Sequence, residues 1–366
     1  MKYSIYDLAK WTNGLAFKSV HFSKNGEGEP VIKIAELKNG LTEKTGYTTD
    51  LFDESIHLCK GDLLFSWSGS PETSIDIFEC PFASGWLNQH IFKVIPKENI
   101  IRKKYFFYLM KYYKGTFIEI AKMKQTTGLG HVTVADLKRL KVNIPPIEEQ
   151  DRIIATLVSF DKKYELNSNQ NQILYELSEA LLLNTFGDKL YGDSTISDYL
   201  LPKRGKPLLS KDAMDGKVPV VAGGLEPAAY HNKSNTLAPV ITISASGANA
   251  GFVRLWGEKV WSSDSSYIDS SVTENVYFWY VLLKSRQKEI YDMQTGSAQA
   301  HIYPKHIGEM SIGAIANDEI SKYNNSVKTF FEKIAHNELE NKSLLNIRDA
   351  VLFKKISDIE KDPSNE

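Results

Sequence analysis

The sequence predicts an α+β protein with two tandem, pseudo-repeated α/β domains that are separated by an antiparallel pair of long coiled-coil helices. Two observations lead to this prediction. Stretches of the first half of the chain recur in the second half, and each half ends in a long segment with heptad spacing of apolar residues. A chain of 366 residues is long enough for two or three domains with cores of their own.

The repeat consists of short matching stretches. SIYDLAKWTNG at residues 4–14 returns as TISDYLLPKRG at residues 195–205, and HVTVADLKRLKV at residues 131–142 returns as HIYPKHIGEMSI at residues 301–312. The offset changes along the chain, so we expect loop insertions and deletions around a preserved order of elements. We therefore predict a globular domain at 1–145, a helix at 146–187, a second globular domain at 188–313, and a helix with its tail at 314–366.

Each predicted globular domain has the same order of elements. A short helical signal comes first, at residues 6–11 and 197–201, and strand-like runs follow it. These runs are PVIKIAEL, DLLFSWSG, HIFKVIP and KVNIP in the first domain and PVVAGG, APVITISASG, GFVRLW and YIDSSV in the second. The aromatic-rich segments 102–123 and 274–293 predict helices whose rings lie in the core.

Both long helices are polar at the middle of their apolar seam. The first carries Asn167 and Asn171 there, and the second carries Asn337 and Asn341. Antiparallel pairing would bring the two Asn pairs together. Buried amides would fix the register of the pair, because a slipped alignment leaves them without partners. The alternative is that the amides lie in solvent where the helices splay, and the sequence leaves both interpretations open.

The first long helix begins at NIPPIEEQ, residues 143–150. The stretch is similar to the Asn-Pro-Pro-aromatic motif of amino-methyltransferases, but Ile144 puts the amide out of register and Ile147 replaces the ring that would stack on a flipped base. Proline has a φ angle suited to a first helical turn, and the acidic residues at 148, 149 and 151 complement the helix dipole. We therefore interpret the stretch as a helix start, and Gly187 as its C-terminal cap.

Three pairs of polar loops recur in the two domains. KQTTGLGH at 124–131 matches QTGSAQAH at 294–301, SWSGSPE at 66–72 matches SASGANA at 244–250, and GWLNQHIF matches VWSSDSSY. Thr133 and Asp136 predict a capping box after the first loop. Glycines allow close backbone approach, and Gln, Thr and Lys contact phosphates or base edges. Recurrence of KQTTGLGH and QTGSAQAH at equivalent positions favours a ligand face over a plain surface turn, whereas the polar side chains of the other two pairs of loops suit base reading and any polar surface alike.

The candidate nucleic-acid contacts in and beside these loops are polar or basic residues of types that are usually found on protein surfaces. They are Ser66, Ser68, Asn88, Gln89, His90, Lys122, Lys124, Gln125, Thr126, Thr127 and His131 in the first domain, and Ser244, Ser246, Asn249, Gln294, Thr295, Ser297, Gln299, His301 and Lys305 in the second.

Composition narrows the function classes. The net charge is −1, but residues 1–145 carry 20 Lys and Arg against 15 Asp and Glu, whereas residues 146–190 carry 4 against 8. Cys59 and Cys80 are the two cysteines, too few for a disulfide framework or a metal cluster. The sequence shows no signal peptide and no apolar run long enough for a membrane span. We expect a cytoplasmic protein without metal, cofactor or membrane partner.

The duplicated layout, the junction TTGLGHVTVADLKRLKVNIPPIEEQDRIIATL and its weaker copy HIYPKHIGEMSIGAIANDEI resemble the DNA-specificity subunits of type I restriction–modification enzymes. Pro145, Pro146, Glu149 and Gln150 fit the Pro-Pro and Glu-Gln pattern typical of that family at a helix start. In the second copy, Ile315, Ala316 and Ile320 depart from the pattern.

The resemblance implies two target-recognition domains that each read one half of a split site in double-stranded DNA. It implies that the paired helices set the unread spacer and dock two methyltransferase subunits, with Pro145, Pro146, Glu149 and Gln150 as docking residues. Endonuclease/translocase subunits would complete the assembly. The subunit itself would do no chemistry, in keeping with a sequence that lacks a P-loop and zinc-ligand spacing. The departures in the second copy imply weaker or different partner contacts there.

Two other functions remain as alternatives. One is a DNA methyltransferase in its own right, which binding of S-adenosylmethionine by the isolated chain would support. The other is a scaffold of duplicated lectin-like or adhesin-like domains on a coiled coil that binds no DNA. The lack of a secretion signal and of disulfides argues against that extracellular role. Salt dependence discriminates further, because phosphate contacts make DNA affinity fall steeply with salt.

Overall fold

The computed structural model describes residues 1–125, 128–296 and 299–361. The chain divides into two compact units. Unit 1 is Met1–Asp161 with the described residues from Leu345 onward, and unit 2 is Lys162–Leu344. Both long helices pass from one unit into the other, so each unit contains a globular part and one segment of each helix.

Unit 1 contains twelve strands among its described residues, and most of them are short. They are β1 (Lys2–Ser4), β2 (Ala9–Asn13), β3 (Glu29–Ile32), β4 (Tyr47–Thr48), β5 (His57–Cys59), β6 (Leu63–Ser66), β7 (Ser68–Gly69), β8 (Asp76–Glu79), β9 (Ser84–Leu87), β10 (Ile91–Pro96), β11 (Gly130–His131) and β12 (Lys141–Asn143). Its helices are α1 (Ile34–Asn39), α2 (Pro71–Ser74), α3 (Lys103–Tyr112), α4 (Lys114–Met123), α5 (Val134–Arg139) and the start of α6 (Ile147–Phe186).

Two four-stranded sheets form the centre of unit 1, in the orders β2-β10-β6-β8 and β4-β3-β9-β5. All four residues of β6 are buried. Since successive side chains of a strand point in opposite directions, both faces of β6 are covered. Leu63 and Phe65 pack with Tyr105 and the rest of α3, while Leu64 packs with the side chains of the second sheet. Tyr105 and Tyr108 are 0% and 2% exposed, which confirms the core prediction for these two rings, whereas Tyr112, Tyr277 and Tyr280 are half-buried and pack against the cores of their units.

Unit 2 repeats this plan. Its strands are β13 (Ser194–Thr195), β14 (Lys203–Arg204), β15 (Val218–Val221), β16 (Ala229–His231), β17 (Val240–Ser244), β18 (Val253–Trp256), β19 (Trp261–Ser262), β20 (Ser265–Ile268) and β21 (Ser311–Ile312). The helices that follow the end of α6 are α7 (Val276–Ser285), α8 (Gln287–Asp292), α9 (Pro304–Gly308) and α10 (Asn317–Lys361). The main sheet has the order β14-β20-β17-β18, and a three-stranded sheet has the order β16-β15-β19.

Within unit 2, α6 and α10 pair through the asparagines of their seams. Asn167 Nδ2 donates to Asn341 Oδ1 at 2.9 Å, and Asn337 Nδ2 donates to Asn171 Oδ1 at 2.8 Å. The partner residue number falls as the first rises, so the helices run antiparallel and the two Asn pairs meet, as predicted. Asn167, Asn337 and Asn341 are buried and Asn171 is half-buried, so the four amides do not lie in solvent between splayed helices. Their role in setting the register stays a prediction.

Within unit 1, the ends of the same helices are joined by polar contacts at Asp161. Arg348 Nη1 donates to one oxygen of Asp161 at 2.9 Å, and the Tyr108 hydroxyl donates to the other at 2.5 Å. Burial and the Asp161 carboxylate raise the pKa of Tyr108, so its hydroxyl keeps the proton that it donates. α3, α6 and α10 are thereby fastened together at one point.

The structure corrects three element predictions. Residues 6–11 form only a 3-10 turn at Tyr6–Leu8, and the chain then extends as β2, because β10 offers it backbone partners from Ala9 to Asn13. The predicted strand PVIKIAEL ends at Ile32, and α1 begins at Ile34 because the Glu36 carboxylate caps the Lys33 amide. Each aromatic-rich helix is split in two, at Tyr113 and at Arg286. No described helix is both long and apolar enough to cross a membrane.

Candidate nucleic-acid interface

Two of the predicted polar loops of unit 1 are joined in a single backbone ladder. β7 pairs antiparallel with β11, which places His131 opposite Ser68. Next to this pair, the Val132 amide donates to the Trp67 carbonyl at 2.8 Å. Gly130 permits the pairing close to α4, since an added Cβ would lie 2.3 Å from the Ala121 carbonyl oxygen. Loops that are more than sixty residues apart therefore form one polar surface.

Unit 2 contains the same pairing. Ser246 and His301 form an antiparallel bridge, and the Ile302 amide donates to the Ala245 carbonyl at 2.9 Å. The sequence repeat had matched the serine with Ser68 and the histidine with His131. It did not show that the serine and histidine loops meet.

A third pair of segments completes this arrangement in both units. In unit 1 the Gly14 amide donates to Ile91 O at 3.2 Å, and the Trp67 amide donates to His90 O at 3.2 Å. In unit 2 the Gly205 amide donates to Ser265 O at 2.8 Å, and the Ala245 amide donates to Asp264 O at 3.1 Å.

We call this repeated backbone arrangement the frame. It consists of residues 13–14, 67–68, 90–91 and 131 in unit 1, and residues 204–205, 245–246, 264–265 and 301 in unit 2. The hydrogen bonds make Asn13 equivalent to Arg204 and His90 equivalent to Asp264. The backbone of the frame is thus shared by the two units, whereas most of its side chains differ.

The unit-1 frame carries amide and aromatic side chains. Trp67 Nε1 donates to Asn13 Oδ1 at 3.0 Å, and the Trp67 ring lies edge-on to the His90 ring with centroids 5.7 Å apart. Gln89 Nε2 lies 3.3 Å from His90 Nε2. Asn13 and His90 are exposed, and Gln89 and the neighbouring Asn88 are half-buried. Donors and acceptors of this kind suit contacts with base edges.

The unit-2 frame carries an ion pair instead. Arg204 Nη2 donates to Asp264 Oδ1 at 2.8 Å, and the Ser246 hydroxyl donates to the other oxygen of Asp264. The side chains of Arg204 and Asp264 are 43% and 38% exposed. Asn249 is close by, and its Nδ2 donates to Gly223 O at 3.4 Å.

The two lysines of the first loop are engaged within unit 1. Lys124 is paired with Asp136, which also accepts from Thr133 in the predicted capping box. Burial raises the pKa of Asp136, but the hydrogen bonds from Lys124 and Thr133 outweigh it and hold that pKa below its ordinary value. Lys122 contacts Glu72 at 2.6 Å and Glu119 at 3.0 Å. Neither ammonium group is a free charge in this structure.

The loop residues near the frame have the following placements. Gln125 Nε2 donates to Gly128 O at 2.7 Å, and Gln294 Nε2 donates to Ala250 O at 2.8 Å. Thr295 and His301 exchange backbone hydrogen bonds of 3.1 and 2.8 Å. Gln299 and Lys305 are exposed. The candidates Thr126, Thr127 and Ser297 lie outside the described residues.

Two candidate serines lie away from the surface. Ser66 in β6 is 0% exposed, and Ser244 in β17 is 3% exposed with its hydroxyl 3.4 Å from the Ala222 carbonyl oxygen. Both side chains therefore contribute to the interior of their sheets in this structure, and the surface that we propose below does not include them.

The start of α6 is held by Gln150, which is 0% exposed. Its Oε1 accepts from the Arg102 amide at 2.8 Å, and its Nε2 donates to the carbonyls of Ile100 at 3.0 Å and Pro145 at 2.9 Å. The residue that the family pattern places at this junction thus fastens α6 to the start of α3. Pro145 is also buried, whereas Pro146 is exposed and Glu149 is half-buried and paired with Arg152 at 2.6 Å.

Unit 2 achieves the same connection with a different residue. Ile320 replaces the glutamine and is 1% exposed. One turn further along α10, Asn324 Oδ1 accepts from the Tyr277 amide at 3.0 Å and from the Phe278 amide at 3.3 Å, in the first turn of α7. The departure of the second junction from the family pattern is therefore compensated inside unit 2 by a helix cap.

Sequence reasoning missed Asn13 and Arg204, and it noted Asp264 only as one polar residue of the loop VWSSDSSY. A signal for the first two existed in the repeat, because SIYDLAKWTNG and TISDYLLPKRG end in Asn-Gly and Arg-Gly. Asp264 was noted as polar, but its contact with Arg204 joins residues sixty positions apart and has no local pattern.

Comparisons with known proteins agree with this fold. Residues 1–175 match the family model of the type I restriction modification DNA specificity domain. The putative type I restriction enzyme MjaX specificity subunit of Methanocaldococcus jannaschii is 27% identical over 181 residues, which are 48% of this chain and 42% of that protein. The MjaIX specificity subunit of the same organism is 23% identical over 348 residues, with coverage of 81% of this chain and 76% of the relative.

A solved structure extends the likeness of fold to nearly the whole chain. The crystal structure of the type I restriction–modification S subunit from M. genitalium superposes with a TM-score of 0.56 at 21% identity, over 97% of this chain and 96% of that one. Residues 1–175 thus match the type I restriction modification DNA specificity domain, and the chain is similar over most of its length to type I restriction enzyme specificity subunits and has the fold of a solved S subunit.

Proposed function

We propose that the chain is the DNA-reading, non-catalytic subunit of a type I restriction–modification complex. Unit 1 and unit 2 each read one half of a bipartite site in double-stranded DNA. The segments of α6 and α10 set the unread spacer between the halves. Two methyltransferase subunits dock on the chain, and endonuclease/translocase subunits join them in the complete assembly.

The observation that carries this proposal is the frame. A split site with two different half-sequences requires two modules of similar shape that present different hydrogen-bonding groups. The two units meet this requirement, since the same backbone hydrogen bonds support Asn13 and His90 in one unit and Arg204 and Asp264 in the other.

Charge supports binding to a phosphate backbone through unit 1. Residues 1–145 carry five more basic than acidic side chains, as 20 Lys and Arg stand against 15 Asp and Glu. Phosphate contacts fix position and orientation without reading sequence. In unit 2 the exposed Lys305, on the helix that follows the polar loop, is suited to this role.

For partner docking, the exposed part of the α6 start is the best candidate. Pro146 and Glu148 are exposed there, and Glu149 is half-buried. Gln150 and Pro145 support this surface from inside rather than forming it, because both are buried and Gln150 uses its amide on three backbone groups. We therefore assign docking to the exposed positions and positioning to the two buried ones.

The test is the pattern of adenine methylation across the genome of cells that express this chain together with its cognate methyltransferase subunit. We expect a new bipartite motif that is absent when the chain is left out. If the methyltransferase is bound and active and no new motif appears, the proposal is wrong and a scaffold function gains support.

A second experiment tests the spacer role. Insertion of four residues into α6 near position 175, between the seam asparagines and Gly187, should change the spacer length of the methylated motif or abolish assembly, because it shifts the heptad register. An unchanged motif in an assembled complex would show that these helices do not set the spacer.

A further inference from the structure

We propose that the residue before the frame glycine reads a base in each unit: Arg204 reads a guanine in the unit-2 half-site, and Asn13 reads an adenine in the unit-1 half-site. This inference rests on the proposed function and assigns the reading to particular side chains.

The backbone at this position is fixed in both units. An added Cβ at Gly14 would lie 2.2 Å from the Asn88 carbonyl oxygen, and one at Gly205 would lie 2.6 Å from the Ser265 carbonyl oxygen. Only glycine allows the chain to approach its neighbour this closely. Asn13 and Arg204 therefore each precede a glycine whose backbone is packed closely against its neighbours, and both are exposed.

Arg204 is held in place by a carboxylate. Asp264 accepts from Arg204 Nη2 at 2.8 Å and is itself fixed by the Ser246 hydroxyl. The contact uses one of the five guanidinium N–H groups, and Nη1 makes no hydrogen bond to a described residue. A guanidinium that is held in this way loses little conformational freedom on binding, and its fork matches the O6 and N7 acceptors of guanine.

The same pairing disfavours a phosphate contact. Asp264 largely cancels the charge of Arg204, and its carboxylate would repel a neighbouring phosphate. The guanine edge is a neutral pair of acceptors, so it needs directed N–H groups more than net charge. A free cation such as Lys305 is better suited to phosphate.

Asn13 has a fixed orientation for a similar reason. The indole N–H of Trp67 is only a donor, so the 3.0 Å contact assigns the carbonyl oxygen of Asn13 to the side facing Trp67. Nδ2 then faces away from the indole as a donor for adenine N7. The second lone pair of Oδ1 remains to accept from adenine N6, which is the usual Asn–adenine pairing.

The experiment uses the full chain in complex with its methyltransferase subunits and the motif that the wild-type complex methylates. Duplexes with each motif position changed singly are compared as substrates for wild type, Arg204→Gln and Asn13→Ala. For Arg204→Gln we expect discrimination to fall by roughly 5- to 100-fold at one G·C pair of the unit-2 half-site and to be kept elsewhere. For Asn13→Ala we expect the same at one A·T pair of the other half-site.

Lys305→Gln is the matched control, since it should weaken binding similarly on all duplexes. Asp264→Ala is a second test of the Arg204 contact. It keeps the arginine but removes the carboxylate that orients it, so it should reduce discrimination at the same G·C pair. If Arg204→Gln prevents assembly, Asp264→Ala decides the question for unit 2. If Asn13→Ala prevents assembly, Asn13→Gln decides it for unit 1, because the longer amide should lose the preference at the same A·T pair.

The outcomes separate the two proposals. If the wild-type complex methylates without sequence preference, the proposed function fails. If the wild-type complex is specific but the variants keep the preference at every position, or lose it equally in both half-sites, the assignment of Arg204 and Asn13 is wrong while the proposed function stands.

Discussion

Replacement of Gln150 by leucine tests how the start of α6 is held. Leucine fits the helix and is close to glutamine in size, but it offers no polar group. The side chain of Gln150 is fully buried and makes hydrogen bonds with the Arg102 amide and with the carbonyls of Ile100 and Pro145. Leucine would remove all three bonds and leave these backbone groups without that partner.

The expected cost follows from this count. Three net hydrogen bonds at about 1 kcal/mol each, with up to about 2 kcal/mol more for backbone groups left without a partner, give a loss of roughly 3–5 kcal/mol. Better burial of the leucine side chain offsets about 1 kcal/mol of this loss. We therefore expect Gln150→Leu to lower the free energy of unfolding of unit 1 by about 2–4 kcal/mol, which lowers Tm by roughly 4–16 °C for a unit of this size.

The assay is urea and thermal unfolding of the full free chain, with Glu148→Ala as the matched control. Glu148 is exposed on the same helical turn, so its replacement should change stability by less than about 0.5 kcal/mol. A change for Gln150→Leu as small as the control, combined with weaker methyltransferase binding, would refute the structural argument. It would show that Gln150 contacts the partner, as the family resemblance had implied.

Three further predictions concern other contacts. Asn324→Ala should destabilise unit 2 by about 1–2 kcal/mol in urea unfolding, because the first turn of α7 loses its cap, whereas Asn325→Ala at the exposed neighbouring position should have little effect. Equal effects would contradict the capping role. Asp136→Asn should lower stability at neutral pH. Since the folded pKa of Asp136 is held below its ordinary value of 3.8, the stability from its ionised form is present above about pH 4 and is lost as pH falls through the folded pKa, so the difference between wild type and variant should shrink as pH falls below 3.8. A stability difference between wild type and variant that stays constant across this pH range would show that ionisation of Asp136 does not cause it. Asn167→Leu combined with Asn341→Leu should keep or raise the stability of the helix pair while broadening the spacer length of the methylated motif; a single, unchanged spacer would show that the amides do not set the register.

The local elements of this fold follow closely from sequence. The capping box of Thr133 and Asp136, the helix start after Pro146 and the left-handed Gly187 at the end of α6, with φ of 46°, depend on a few neighbouring residues and are confirmed. The meeting of the two Asn pairs is confirmed as well, because heptad spacing over a long helix restricts the register of its partner.

The contacts that build the candidate site could not be predicted in the same way. Ser68 meets His131, and Arg204 meets Asp264, through strand pairings that depend on the whole sheet rather than on neighbours in sequence. Lys124 is a residue type that commonly contacts phosphate, but its ammonium group forms an ion pair with the buried carboxylate of Asp136. Gln150 looks like a surface residue of a first helical turn until the backbone of α3 packs against it.

The central claim is that each unit reads its own half of the DNA site. The most direct measurement is the genome-wide methylation motif obtained after residues 1–145 are replaced by the corresponding segment of a relative with a different specificity. We predict that one half of the motif changes to that of the relative, while the other half and the spacer length stay as they were. A motif that changes in both halves, or in neither, would contradict independent reading by the two units.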